Sequence, residues 1–531
     1  MTEPRFDFVI VGGGSAGCVL ADRLSANGRH TVALLEAGPP DNDPRIKIPF
    51  GLVGLMSHPR FDWRFTSTPH HHLDDKVVSI PRGKTLGGSG SINSMVYIRG
   101  RASDYNRWAE LGATGWDWES VLPYFIRQEC NRELADDPLH GDRGPLHVQD
   151  LPSPHDLLGT LQAAGRQLGI PQIRDFNGET QEGLGVYQTT MRSGRRWSAA
   201  DAFLRPAMSR DNLHVFTGLE VERIEFGGRK AVAVIANGRG GNRRFIVNRE
   251  LVLAAGAIGS PALLLRSGVG PGEHLQDLEI PVINDCPGVG QNLHDHPATA
   301  VFHGGGKSGY GLSLGTLAQM ALAPFQYLFR RKGMFASNTV EGGGFAKTAK
   351  HLVEPDVQFH FIPARLGHEG RMIVWGRGYY SDVCLLKPKS RGQLRLANPD
   401  GTLHIDLNLL SDPDDHDRLL TGLELLRRLL ASDAFDSVRS PELAPGPDVA
   451  DREDLTRYMY SKLGTAYHPV GTCRMGDTDD PLTVVSPALS LKGCENIRVI
   501  DASIMPEVVA GNTNAPTMMI AEKGAEALLR P

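Results

Sequence analysis

Phe6-Asp7-Phe8-Val9-Ile10-Val11-Gly12-Gly13-Gly14-Ser15-Ala16-Gly17 begins as a strand and runs straight into a glycine-rich turn. Phe6–Val11 is short, apolar and rich in β-branched residues, as a central parallel strand buried on both faces should be. Ser15–Ala26 reads as a helix, Thr31–Leu35 as a second strand, and Glu36 closes that strand. The order strand, GxGxxG, helix, strand, acid gives the glycines specific work. Gly12 permits the tight turn, Gly14 lets backbone approach a pyrophosphate, and Gly17 lets helix and strand pack closely. Ser15 and Ala16 stand at the helix N-terminus, whose free N–H groups and partial positive charge suit phosphates. Glu36, with Ala37 behind it, lies where a carboxylate accepts hydrogen bonds from ribose hydroxyls. An acid there repels a 2′-phosphate and disfavours NADP. The motif alone leaves FAD and NAD both open.

The rest of the composition excludes more than it selects. At 531 residues the chain can form one large domain or two intimate ones, and 40% hydrophobic with 22% charged residues is ordinary for a globular enzyme. A net charge of −5 gives no basic face for nucleic acid. The six cysteines are scattered without zinc-ligand or CxxC spacing, the pattern of reduced thiols in a cytoplasmic protein. No signal peptide precedes Phe6, and no stretch of 18 uncharged apolar residues reads as a membrane span. Leu314–Phe329, followed by Arg330, Arg331 and Lys332, reads first as a core helix interrupted at Pro324. The alternative is a helix lying on a membrane surface, which would put the protein at the periphery of the inner membrane.

A second donor-rich loop, Gly83–Asn93 (GKTLGGSGSIN), is followed by the apolar run Met95–Ile98. Such a loop can wrap a flat ring or a diphosphate. Here the chain resembles the glucose–methanol–choline (GMC) oxidoreductases. Gly83–Asn106 fits the family's first signature, and Gly256–Pro261 with Ser267–Gly270 fits its second. Val289–His296, Tyr467–Thr472 and Gly511–Thr517 resemble further segments of the family, in the family's order. Within the family the likeness is strongest to the bacterial alcohol and choline dehydrogenase branch.

The resemblance implies FAD and an α/β fold of two domains: a Rossmann-like FAD-binding domain and a sheet-and-helix substrate-binding cap. Both are discontinuous, the first at 1–155, 215–300 and 455–531, the second at 156–214 and 301–454. It implies that Leu86, Gly88, Asn93, Ser94, Met95 and Val96 surround the flavin. Val221 would meet the adenine, Asp501 and Ala502 the diphosphate and ribityl chain, and Asn512 and Thr513 the flavin loop. Some family members bind FAD covalently through a histidine where this chain has Ile92, so non-covalent FAD is expected. Val215, Val221–Phe226, Ala231–Ile235 and Glu250–Ala255 read as strands, and Gly392–Leu396 and Leu403–Leu407 as strands of the cap.

Oxidising an alcohol needs a base for the hydroxyl proton, a donor for the developing alkoxide, and a hydride acceptor. The resemblance assigns the base to His468 and the donor to Asn514. It implies a primary alcohol as substrate, an aldehyde as product, and a quinone or other acceptor for the electrons. An oxidase using O₂, with Ala466 near the flavin, a choline dehydrogenase, and a lyase or decarboxylase on the same scaffold remain alternatives. His294 and His296 flank Asp295 but lack a third ligand, so no metal is expected. Ser260 and Ser267 lack a nucleophile elbow. Glu341 can contact a cationic substrate or serve a structural pair, and Phe335, Phe359, Phe361 and Tyr467 are candidates for an apolar pocket, with core packing the default for the first three.

Overall fold

Strand β1 (Arg5–Val11) lies inside a seven-stranded sheet, paired in parallel with β2 (Val32–Glu36) on one side and Gly241–Leu253 on the other. The computed structural model describes residues 3–365 and 374–530. Parallel neighbours cannot be joined by a tight hairpin, so a crossover is required, and helix α1 (Ser15–Ser25) supplies it. Every residue of β2 and Phe8–Val11 of β1 is buried, because helices and loops cover both faces. Leu213–Thr217 adds outside β2, and Lys230–Gly238 and Leu219–Gly227 continue the sheet beyond Gly241–Leu253 as antiparallel strands. Ile497–Val499, from near the C-terminus, pairs with Leu251–Leu253. The final helix, Asn514–Leu529, packs on α1. Its buried Glu522 receives Arg23 at 2.7 Å and Arg127 at 2.8 Å.

A second seven-stranded sheet stands over the cofactor end of the first. Its order is Glu442–Ala444, Pro297–Leu312, Gly376–Leu385, Val357–Ile362, Gly342–Ala346 and Gly183–Val186, with Gly464–Thr465 beside Pro297. All its pairings are antiparallel. Helix Pro413–Leu430 covers one face. Side chains alternate across a strand. Val357, Phe359 and Phe361 therefore go to the packed side, where Gly422 of the helix meets Val357 and Val383. His360 and Ile362 go to the other side and line a cavity.

Two details differ from the sequence reading. The Gln393–Leu396/Leu403–Asp406 hairpin forms a sheet of its own against helix Gly256–Arg266 and does not join the cap sheet. Leu314–Phe329 is not a core helix: Leu317–Arg330 is continuous through Pro324 and lies on the surface with most of its large apolar side chains exposed. Phe359 and Phe361 are wholly buried core residues, in line with the default reading of them, and Phe335 stacks on Phe50 behind the cavity wall.

Candidate active site

One continuous cavity of about 770 Å³ runs from Glu36 and Val221, past Ser15 and Ala502, to Asn93–Val96 and His468. Its first half is built of backbone. Gly12 has φ +104°, and a Cβ on it would lie 2.5 Å from the Ala254 carbonyl oxygen, so only glycine fits. A Cβ on Gly14 would meet only Gly88 Cα, at 3.9 Å, and otherwise project into open space. A Cβ on Gly88 would lie 2.7 Å from Gly14 Cα, so the two glycine loops close on each other. The start of α1 has no side-chain cap, which leaves its first N–H groups to whatever fills the cavity. Glu36 receives Gly13 N–H at 2.8 Å and Gly38 N–H at 2.7 Å, and burial pushes its carboxyl up to about 7. An elongated groove with glycine backbone at its waist and a carboxylate at one end fits a dinucleotide such as FAD. Arg196, which the sequence did not single out, is buried behind this groove and donates to Asn93 Oδ1 at 2.8 Å and to the Gly90 carbonyl at 3.1 Å.

Gly12, Gly14, Ser15, Ala16, Glu36, Ala37, Gly88, Asn93, Ser94, Met95, Val96 and Val221 all line the cavity. So do Asp501, Ala502, Asn512 and Thr513. Leu86 does not: it sits behind Gly13, its Cδ2 about where that glycine's side chain would point. The Asp501 carboxylate is also turned away. It receives Gly256 N–H at 2.8 Å and Ser260 Oγ at 2.6 Å on one oxygen, and Ser503 on the other. Ile92 lines the cavity at the position where an imidazole was sought, backed by Ile46, Leu55 and Phe61.

His468 closes the far end. Its backbone N–H donates to Asp295 Oδ1 at 2.8 Å. Its Nε2 receives the Asn512 amide at 3.1 Å, and its Nδ1 lies 3.0 Å from Nδ1 of His296. With Asn512 donating, Nε2 carries the lone pair, so Nδ1 carries the proton and donates to His296. Burial, then the neighbouring His296, His360 and Arg82, hold the His468 pKa well below the ordinary 6.5. Burial lowers His296 to about 3. Both imidazoles are therefore neutral at physiological pH. A depressed folded-state pKa means that the neutral base persists above the unfolded value and is lost only as pH falls. We expect kcat/KM to stay level from about pH 8 down through about 6.5 and to fall only well below that, as the depressed His468 takes up its proton. A base limb above pH 7 in that profile would contradict this assignment of neutral His468.

The two asparagines differ. Asn512, whose Oδ1 also receives Gln358 of the cap sheet at 3.3 Å, is the one that meets His468. Asn514 begins the C-terminal helix, and its Oδ1 receives Ser15 Oγ at 2.7 Å, at the glycine turn that starts α1. A two-residue offset at a loop–helix junction turns the side chains to different parts of the cavity. The sequence reading also passed over His360, which lines the cavity and is held at Nδ1 by Asp382 at 2.8 Å. It weighed His296 only as a metal ligand. His294 serves the fold alone, bonding Asn292 O and Val508 N–H. Glu341 does not reach the cavity. It is fully buried, receives Ser337 Oγ and His155 N–H at 2.6 Å each, and is raised to about 7 by burial.

A two-sheet fold with a dinucleotide cradle opening on a buried histidine defines an oxidoreductase of the flavoprotein class. The family profile described as GMC oxidoreductase matches residues 6–298, and its C-terminal counterpart matches residues 388–521. The chain is similar to the alcohol dehydrogenase [acceptor] of Pseudomonas putida, 42% identical over 99% of this chain and 96% of that one. It is also similar to the oxygen-dependent choline dehydrogenase of Rhizobium johnstonii, 40% identical over 98% and 95%. Among solved structures, pyridoxine 4-oxidase from Mesorbium loti superposes with a TM-score of 0.87 at 30% identity, covering 98% of both chains. A formate oxidase of Aspergillus oryzae, studied for modification of its FAD, gives 0.91 at 26% identity over 99% of each. The chain belongs to the GMC oxidoreductase family and is an enzyme.

Proposed function

We propose that this enzyme oxidises an uncharged aliphatic primary alcohol to the aldehyde, using non-covalently bound FAD and passing the electrons to a quinone or similar acceptor. The observation that carries the reading is the His468 Nε2–Asn512 Nδ2 pair at the end of the dinucleotide cavity. A hydroxyl that displaces the Asn512–His468 hydrogen bond takes over both partners, the lone pair on His468 Nε2 and the amide donor of Asn512. His468 Nε2 takes the hydroxyl proton, and the Asn512 amide holds the oxygen as charge develops. His296 fixes the proton on His468 Nδ1 by accepting from it. FAD, when bound, supplies the two-electron acceptor. Gly12–Ala16 with Glu36 and Ala37 would hold its adenosine diphosphate half, Val221 its adenine, and Asn93–Val96 its isoalloxazine. Ile92, which cannot form a histidyl bond, supports non-covalent attachment.

The substrate end of the cavity favours an apolar alcohol over a cation. Phe50, Leu52, Met56, Leu312, Met320 and Met334 supply its apolar wall. Among the described residues the one carboxylate lining this end is Asp382, already committed to His360, while Arg82 and Arg365 place positive charge in the wall. Each methylene moved from water into such a wall contributes about 0.8 kcal/mol, or roughly fourfold. Anaerobic bleaching of the flavin, followed along a series of straight-chain primary alcohols, tests this. We expect kcat/KM to rise about three- to fourfold per added methylene until the wall is filled, with choline reacting poorly. Preferential bleaching by choline would overturn the substrate class.

A further inference from the structure

Between Asp295 and Glu341 the chain contains no acidic residue. The Leu317–Arg330 helix stands in this stretch, resting mainly on the turn Met334–Ala336 through Ala323 and Tyr327. Leu314, Leu317, Leu322, Phe325, Leu328 and Phe329 are all exposed, from 48% to 81%. They make up about half of the large exposed apolar side chains among the described residues, gathered into sixteen positions. Leu322, Phe325 and Leu328–Phe329 recur every three to four residues, so they form one outward stripe. Water-facing stripes of this kind mark a surface made for contact.

The rim of the stripe is basic. Arg330 and Lys332 are exposed at the helix end, and Arg331 lies over the Tyr327 ring at 4.9 Å. A neighbouring hairpin, Met191–Arg192 paired with Arg195–Arg196, abuts Arg331 at Gly194 and holds the exposed Arg192 and Arg195 beside it. Apolar side chains at the centre, cations at the edge and no acid anywhere in residues 296–340 match an anionic lipid surface in both chemistry and charge. A single proud helix offers no groove for a peptide. No helix of the described residues is long and apolar enough to cross a bilayer. We propose that the outer face of the Leu317–Arg330 helix docks this enzyme on the surface of an anionic bilayer. The same helix contributes Met320 to the cavity wall, so docking brings the substrate end of the cavity to the interface, where apolar alcohols and quinones concentrate.

Vesicle flotation of the holoenzyme tests this surface whatever its substrate proves to be. Wild type is expected to float with phosphatidylcholine vesicles containing about one third phosphatidylglycerol, and about tenfold less well with pure phosphatidylcholine or in about 0.5 M salt. Phe325→Asp/Phe329→Asp should stay at the bottom while keeping the wild-type Tm, since both rings are exposed. Arg330→Glu/Lys332→Glu should lose the preference for phosphatidylglycerol. Wild type that never floats, or a double aspartate variant that floats equally well, overturns the proposal. So does a wild-type dimer in sedimentation equilibrium that the aspartates convert to monomer without any lipid binding, because a second copy then covers the stripe.

Discussion

His468→Ala should slow flavin reduction by alcohol about 10²- to 10⁴-fold, the range of a positioned general base, while leaving the flavin bound. The two halves of this expectation rest on different parts of the molecule. In the proposed mechanism the base acts through Nε2, which is the nitrogen beside Asn512, and His296 and His360 are both turned to other partners. His296 lies behind it, and its ring is held near pKa 3 by burial. His360 faces the cavity from the cap sheet, bound to Asp382 by its other nitrogen, and does not contact Asn512 in the described network. In the proposed reading cofactor retention rests on Gly12–Ala16, Glu36 and the Gly88–Val96 loop, and the hydrogen bonds of the His468 ring go to His296 and Asn512 instead. Stopped-flow reduction under anaerobic conditions gives the rate, and gel filtration with the flavin spectrum gives retention. A rate within about tenfold of wild type would remove His468 from the role of base.

The parts of this protein that were legible in sequence are those in which local pattern and tertiary role coincide. Phe6–Val11, the glycine turn and Glu36 read correctly because strand, turn and acid are consecutive, and each leaves a chemical mark of its own. The Gly83–Val96 stretch carries a local mark of the same kind, and most of it lines the cavity. Leu86 sits in that stretch yet faces away from the cavity, which a motif cannot show, since motif membership does not fix side-chain direction. His360 and Asp382 meet because Val357–Ile362 and Gly376–Leu385 pair in the register that sets them opposite. That register is decided by burial of Val357, Phe359 and Phe361 against the Pro413–Leu430 helix, a long-range condition with no local signature. The Leu314–Phe329 segment misled for the opposite reason. Its hydrophobicity is strong, and burial is the usual consequence of strong hydrophobicity, but here the apolar face was left outside.

Asn512→Ala and Asn514→Ala should separate cleanly, and this pair of variants decides which amide serves the reacting oxygen. Loss of one preorganised donor to a developing oxyanion costs about 10²- to 10³-fold in rate. Asn512→Ala should show that loss in the limiting rate of flavin reduction, because its Nδ2 is the group in contact with His468 Nε2. Its FAD affinity should hardly change. Asn514→Ala removes the acceptor for Ser15 Oγ at the mouth of the phosphate turn, a hydrogen bond worth about 1 kcal/mol. It should weaken FAD binding by roughly fivefold and leave the rate of the flavin-loaded enzyme near wild type. The reverse pattern, with reduction lost in Asn514→Ala and FAD lost in Asn512→Ala, would return the catalytic amide to position 514. It would also require the Thr513–Asn514 start of the C-terminal helix to rearrange when FAD and alcohol bind, since in this structure the Asn514 carboxamide oxygen is held by Ser15.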